Sequence, residues 1–444
     1  MLFLKNSDDC DNLLRLMCEN KLNAVYGYNI PNQCIERVNN ELELISKEHF
    51  APLLISYVNA VNKIALNNQT LIGFNHSNLY IYYLLGLNSF NPLDTEVMDG
   101  HICSFEFAKK ELSSDGMTWF YTTTDMRSKI ISAIEAEENI DKICLDYSSF
   151  DDDSSILYYI IPNSKLGDFE NIPVLRLVRE KQVEFIDYLA SLTNISPKTI
   201  CYYDKSIIDF ITGRTDCKFG NNGIFYIEDE IYMKDIIETT KPTSFFQLSK
   251  AIGLHKGIGA WNYDIKNEFL NGASNMDTVF ATQDDVIEHF VKKFGNYEQA
   301  FKLFDEIRNT DSLPSTVQKD FSEIKETKRI KALRKRAYIV YIAKLACLQA
   351  YYKMNYPEAF YFAYFTFMAP PEFKGNLSEY NAIRNSYSSC LGFRQDNITP
   401  YLETAAEMHR SGYKWNDIYS RYNDKIYRDL KSYANRNFGD MLPL

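Results

Sequence analysis

Residues 327–352 read TKRIKALRKRAYIVYIAKLACLQAYY. A cluster of cations gives way within a few residues to an apolar run, the pattern of a helix basic at its mouth and buried along its body. Seven cations, Lys325, Lys328, Arg329, Lys331, Arg334, Lys335 and Arg336, stand against one acid, Glu326, in a 444-residue chain whose formal charge is −11. In helical projection Lys325, Lys328 or Arg329, and Lys335 or Arg336 share a stripe, whereas Lys331 and Arg334 lie off it. Cations crowded in this way are neutralised either by acids of the same protein or by an external polyanion, and both readings stand at this point.

Ser315 and Gln318 form a capping-box pattern that starts a helix near 316, and Asn355–Tyr356–Pro357 stops it. The interval 316–354 therefore reads as one long helix or two nearly continuous ones. Outward from it, almost everything after 177 has helical period, punctuated by turn signals at Gly220–Gly223, Gly272, Pro314, Pro357, Pro370–Pro371 and Gly412. Toward the N-terminus, CIERVNNELELISKE (34–48) places Ile35, Val38, Leu42 and Ile45 at helical spacing, and 51–66 continues as a second helix. Between 100 and 175 the runs ICSFEF, MTWFYTTT, ILYYIIP and IPVLRLV are short and β-prone, with a helix at about 126–138 among them. The pattern predicts an α+β fold, mostly helical, with a mixed sheet before 176 and a helical lobe over 177–444.

With 45% hydrophobic residues the chain has ample material for a core, and no segment offers about 18 consecutive apolar residues for a membrane span. Nine cysteines without a CxxC pair point to free thiols in a reducing cytosol, and the six histidines show no metal-ligand spacing. The expectation is a cytoplasmic protein without membrane contact, metal or other cofactor. Aromatic residues make up 14% of the chain, which decides nothing alone.

Several stretches together resemble one family, the α subunit of bacterial DNA polymerase III, the C-family polymerases, and among them the PolC type. They are VYGYNIPNQCIERVNNELELI (25–45), LIGFNHS with FNPL (71–93), KPTSFFQLSKAIGLHKGIGAW (241–261), TQDDVIEHFVKKFGNYEQAFKLFDEIR (282–308) and RIKALRKRAYIVYIAKLACLQAYYKMNYPEAFYFAYFT (329–366). The resemblance implies a palm-like α/β remnant over 1–176 and a fingers-like lobe over 177–444. The interval 138–155, where the family inserts its thumb, holds too few residues for one.

The family's palm carries three carboxylates that hold two Mg²⁺ ions, which activate the 3′-hydroxyl and stabilise the leaving pyrophosphate. In SSDGMTWF (113–120) the first acid stands as Asp115, but the second position is Met117. The third falls on Arg176 within IPVLRLV, and a guanidinium repels the metal ions that would sit there. The family's cation-bearing phosphate turn reads GFNHSN (73–78), its Arg-Asp-Asp reads Gln283, Asp284, Asp285, and its Pro-Lys-Ala-His reads Lys335, Arg336, Ala337, Tyr338. Arg336 thus takes the place of a nucleotide-binding lysine.

These departures imply a catalytically inactive relative, related to DNA replication and at home in a phage or other mobile element. DNA or RNA bound through 325–336, or a replisome protein, is the expected partner. Two alternatives remain: a working polymerase using Mg²⁺ with relocated acids, for which Asp146 and Asp151, Asp152, Asp153 are the candidates, and a module that sequesters or pairs with a replisome component.

Overall fold

The computed structural model describes residues 7–65, 77–97, 104–122, 128–133, 140–145, 155–162, 174–310, 323–368 and 399–422, single positions at 49, 89, 96, 116, 131, 228, 229 and 258 aside. The chain divides into two compact units, one of Met1–Glu184 with Thr239–Leu345, the other of Phe185–Glu238 with Ala346–Leu444.

In the first unit, helices Ser7–Tyr26, Asn32–Lys47 and Ala51–Ala65 bury Leu14, Cys18, Val38, Ile45, Leu54 and Val58 in a common core. A buried ion pair organises this core. Glu41 is fully enclosed; its carboxylate accepts the Arg37 Nε–H at 2.5 Å and the backbone N–H groups of Tyr80 and Ile81 at 2.9 and 2.8 Å. Those two N–H groups open the short helix Tyr80–Leu84, whose preceding residue, Leu79, has no side chain able to cap it. Glu41 therefore supplies from another helix the acceptor that the local sequence lacks.

A second core in the same unit gathers Phe107, Val286, Ile287, Phe290, Phe304, Ile307, Ile330 and Leu333. Helices Gln283–Phe294 and Tyr297–Asn309 fold back on each other through Gly295. Gly295 has φ 72°, a left-handed conformation that costs a glycine nothing and suits the end of a helix.

Four short strands are described by their backbone: Met117–Thr122, Ile140–Leu145, Ser155–Pro162 and Val174–Arg179. The first pairs with the fourth in parallel, the fourth with the third and the third with the second antiparallel. The expected fold class is nonetheless corrected. Among residues described down to their side chains, 71% are helical and 1% are strand, so this part of the fold is helical rather than α+β and contains no mixed-sheet palm-like remnant. One reason is visible in ICSFEF (102–107). Its last three residues open the helix Phe105–Asp115, because Phe107 packs edge-on against Phe301 at 5.6 Å, and that contact overrides a weak local β preference.

In the second unit, residues 185–193, 205–211, 346–355, 357–363 and 399–410 are helical. Its core is aromatic: Phe185 stands 5.6 Å from Phe360 edge-on, and Phe362 stacks on Trp415 at 6.2 Å. Lys353 and Glu407 form an ion pair inside it. Glu407 also accepts the Tyr361 hydroxyl at 2.8 Å and the backbone N–H groups of Gly220 and Asn222 at 3.0 and 3.3 Å.

Of the six cysteines described as free thiols, Cys10, Cys18, Cys34 and Cys347 are buried, while Cys201 and Cys217 are exposed. Among the described residues, no helix is long and apolar enough to cross a membrane.

Candidate nucleic-acid interface

The basic segment runs along the helix Glu323–Ala332, through a break at Leu333–Lys335, to the start of the helix Arg336–Asn355. No proline makes this break; neighbouring backbone does. Gln283 donates its backbone N–H to the Arg334 carbonyl at 3.0 Å and its side-chain amide to the Leu333 carbonyl at 2.7 Å. Asp284 then accepts the Arg336 N–H at 2.8 Å, capping the new helix from outside. The capping-box expectation at Ser315 and Gln318 lies outside the described residues.

The cations of the segment part company at this break. Arg336 is 3% exposed and Arg329 7%, whereas Lys328, Arg334 and Lys335 face solvent and Lys331 is half-buried. Lys325 belongs to the first helix, its side chain outside the described part. Arg329 donates to the Phe280 carbonyl at 2.9 Å. The guanidinium of Arg336 donates to Glu288 at 2.7 and 2.8 Å and to Asp285 at 2.9 Å. Internal acids thus take up Arg336, and a backbone carbonyl takes up Arg329. Among the described residues of the segment, Lys328, Arg334 and Lys335 are thus its exposed cations.

The acids are positioned by the start of helix Gln283–Phe294. Thr282 caps it by a reciprocal box with Asp285, and Asp285 also accepts the Ala281 N–H at 2.9 Å. Burial pushes the Asp285 carboxyl up, but Lys250, Arg336 and these hydrogen bonds outweigh it and hold the group below the usual range. Asp284 has less help: burial raises it to about 6, only partly opposed by Arg336. Arg336 would lose its proton more readily through burial, yet Asp285 and Glu288 hold it well above its ordinary value.

Behind the segment is a cavity of about 370 Å³, with Phe246, Lys250, Asp277, Phe280, Lys292 and Arg336 among its walls. Lys250 is 4% exposed, its ammonium 3.7 Å from Asp285 Oδ1. Burial lowers its pKa, and Asp285 partly restores it. Sequence reasoning missed Lys250 and Glu288. Lys250 is the single cation within the apolar run FFQLSKAIGL, and Glu288 follows Asp284 and Asp285 at the four- and three-residue spacing of one helix face.

Asp115 ends the helix Phe105–Asp115, Met117 opens the first strand opposite Val174, and Arg176 lies in the fourth strand between Trp119 and Leu157. The side chains of these three lie outside the described part. Asp146 and Asp151–Asp153 also lie outside it, as does GFNHSN up to His76. Ser77 and Asn78 are buried, and Asn78 donates its N–H to Glu111 at 3.0 Å. Among the described residues, no three His, Cys, Asp or Glu side chains are grouped so as to hold a metal ion.

No family model matches this sequence. Among curated proteins, the DNA polymerase III PolC-type of Staphylococcus aureus is 24% identical over 272 residues, covering 56% of this chain and 19% of the relative, with the same figures for strains MW2 and USA300. The matched region spans about a fifth of the length of these relatives. This similarity supports a distant relationship to DNA polymerase III.

Proposed function

We propose that this chain is a DNA-replication-related protein that no longer polymerises and binds nucleic acid through Lys328, Lys331, Arg334 and Lys335. The observation that carries the reading is the partition of the basic segment. Internal acids and a carbonyl hold Arg336 and Arg329, while Lys328, Arg334 and Lys335 are exposed close to one break in the helix and Lys331 is half-buried. In a chain of net charge −11, a local outward patch is the means of approaching a polyanion. The loss of catalysis rests on Met117 and Arg176 at two of the three positions where the resembled polymerases carry metal-binding acids. On this reading the segment descends from the fingers lobe of those polymerases.

Two experiments test the reading. Primer extension with Mg²⁺ or Mn²⁺ should yield no product; incorporation that disappears on Asp115→Ala would establish the active alternative instead. In a salt titration, four phosphate contacts give a slope of log K against log salt of about −4 for duplex and about −3 for single strands. Binding that is insensitive to replacing Arg334 and Lys335 with Gln would refute the interface. The acidic remainder of the chain favours a second reading, pairing with a basic replisome protein, which co-purification from the host would reveal.

A further inference from the structure

The cavity beside the break contains a chemical demand that the protein itself does not meet. Lys250 is more than nine-tenths buried, yet its ammonium makes no hydrogen bond among the described residues; its contacts are Asp285 Oδ1 at 3.7 Å and the face of Phe246 at 5.9 Å. Asp285 cannot move closer without cost. One of its oxygens already accepts from Ala281 N–H, Thr282 N–H and the Thr282 hydroxyl, and the other accepts from Arg336. An ammonium carries three donors, and here they face the cavity rather than a protein acceptor at hydrogen-bond distance.

The cavity also adjoins the exposed cations. Arg336, one of its walls, directly follows Arg334 and Lys335, and Phe280, another wall, is the residue whose carbonyl holds Arg329. Exposed Lys292 stands on its lining, as do three carboxylates: Asp285 and Glu288, both paired with Arg336, and exposed Asp277, which among the described residues has no cation within ion-pair distance. From this arrangement we infer that the cavity receives the terminal phosphate of a nucleic acid strand, with Lys250 and Lys292 as its donors. The inference rests on the nucleic-acid reading above.

A terminal phosphate suits the space better than an internal one. A phosphodiester within a strand carries a nucleotide on each side, for which a cavity of about 370 Å³ has less room. A terminal monoester is free on one side and carries close to a second negative charge at neutral pH. Charge-assisted hydrogen bonds from Lys250 would then discriminate between phosphate and hydroxyl ends. Asp277 opposes the entering anion, so its removal should strengthen that discrimination.

The test uses the full chain with single-stranded oligonucleotides of one sequence ending in 5′-phosphate, 3′-phosphate or hydroxyl, compared at fixed salt by fluorescence anisotropy. One phosphorylated end should bind about tenfold more tightly than the hydroxyl form. The ratio should rise in Asp277→Asn and fall to one in Lys250→Gln, with thermal denaturation confirming that each variant folds. Equal affinity for all three ends in the native protein overturns the inference. If no oligonucleotide binds, the interface proposed above fails on its own, and inorganic phosphate then reads the cavity. Protection against heat that is lost in Lys250→Gln supports a phosphate site; no protection overturns it.

Discussion

Arg336 and Glu288, 48 residues apart, share two hydrogen bonds of 2.7 and 2.8 Å, and the same guanidinium reaches Asp285 at 2.9 Å. Planar bidentate geometry of this kind fixes one helix start against another, and a lysine could not reproduce it.

Removing Arg336 leaves part-buried Glu288 without its bidentate partner and Asp285 with Lys250 alone as counter-ion, at 3.7 Å. Arg336→Met should cost about 3–5 kcal/mol by urea denaturation. Arg336→Lys should recover only part of that, because a point charge cannot serve both oxygens of Glu288. A loss below about 1 kcal/mol for Arg336→Met would show that the pair contributes little to the fold.

Asp284 makes stability pH-dependent with a sign opposite to that of an ordinary paired carboxylate. Its folded value, about 6, lies above the ordinary 3.8, so between these values the folded protein binds more protons than the unfolded. This contribution is fully present below about 4 and is lost as pH rises through about 6, with a slope of at most about 1.4 kcal/mol per pH unit. Asp284→Asn, whose amide oxygen can still accept the Arg336 N–H, should remove that slope. Denaturation curves of native and variant proteins from pH 4 to 7 measure the difference directly.

Gly253 lies inside the helix that carries Lys250. A Cβ there would stand 2.7 Å from the Ala281 carbonyl oxygen, a backbone atom immediately before the capping Thr282. Gly253→Ala would raise helix propensity by up to about 1 kcal/mol, yet the overlap should dominate and destabilise the protein by about 1–3 kcal/mol. A rise in melting temperature would mean that the helix shifts freely, and the cavity geometry would then not be rigid.

In the second unit, Glu407→Gln should loosen the turn at Gly220–Asn222. The carboxylate that accepts both backbone N–H groups also pairs with Lys353, which is enclosed completely. An uncompensated buried ammonium costs about 3–5 kcal/mol. Hydrogen exchange should quicken first at residues 220 and 222; a uniform change across the unit would argue against this local role.

The helices around both cores were legible because amphipathic spacing is a local property. Val38, Leu42 and Ile45 face inward as their period requires, although Ile35, expected with them, is exposed, and the helix 283–294 announces itself by Thr282 and Asp285. The strand reading of ICSFEF failed at Phe105–Phe107 because Phe301 lies about 200 residues away and no local pattern encodes it. Lys250 escaped notice for a similar reason. A single lysine in an apolar run looks like a surface residue until its neighbours are placed around it.

The residues between 325 and 336 by themselves determined that positive charge is concentrated at a helix end, since composition and spacing require no partner to be read. Which of those charges face outward was decided only by the tertiary structure. Gln283 and Asp284 interrupt the helix at Leu333–Lys335 by claiming its backbone, and this turns Arg336 inward to Asp285 and Glu288 while Arg334 and Lys335 stay in solvent. Hydrogen bonds between segments some fifty residues apart drew that division, and the one-dimensional sequence records their donors and acceptors but not their meeting.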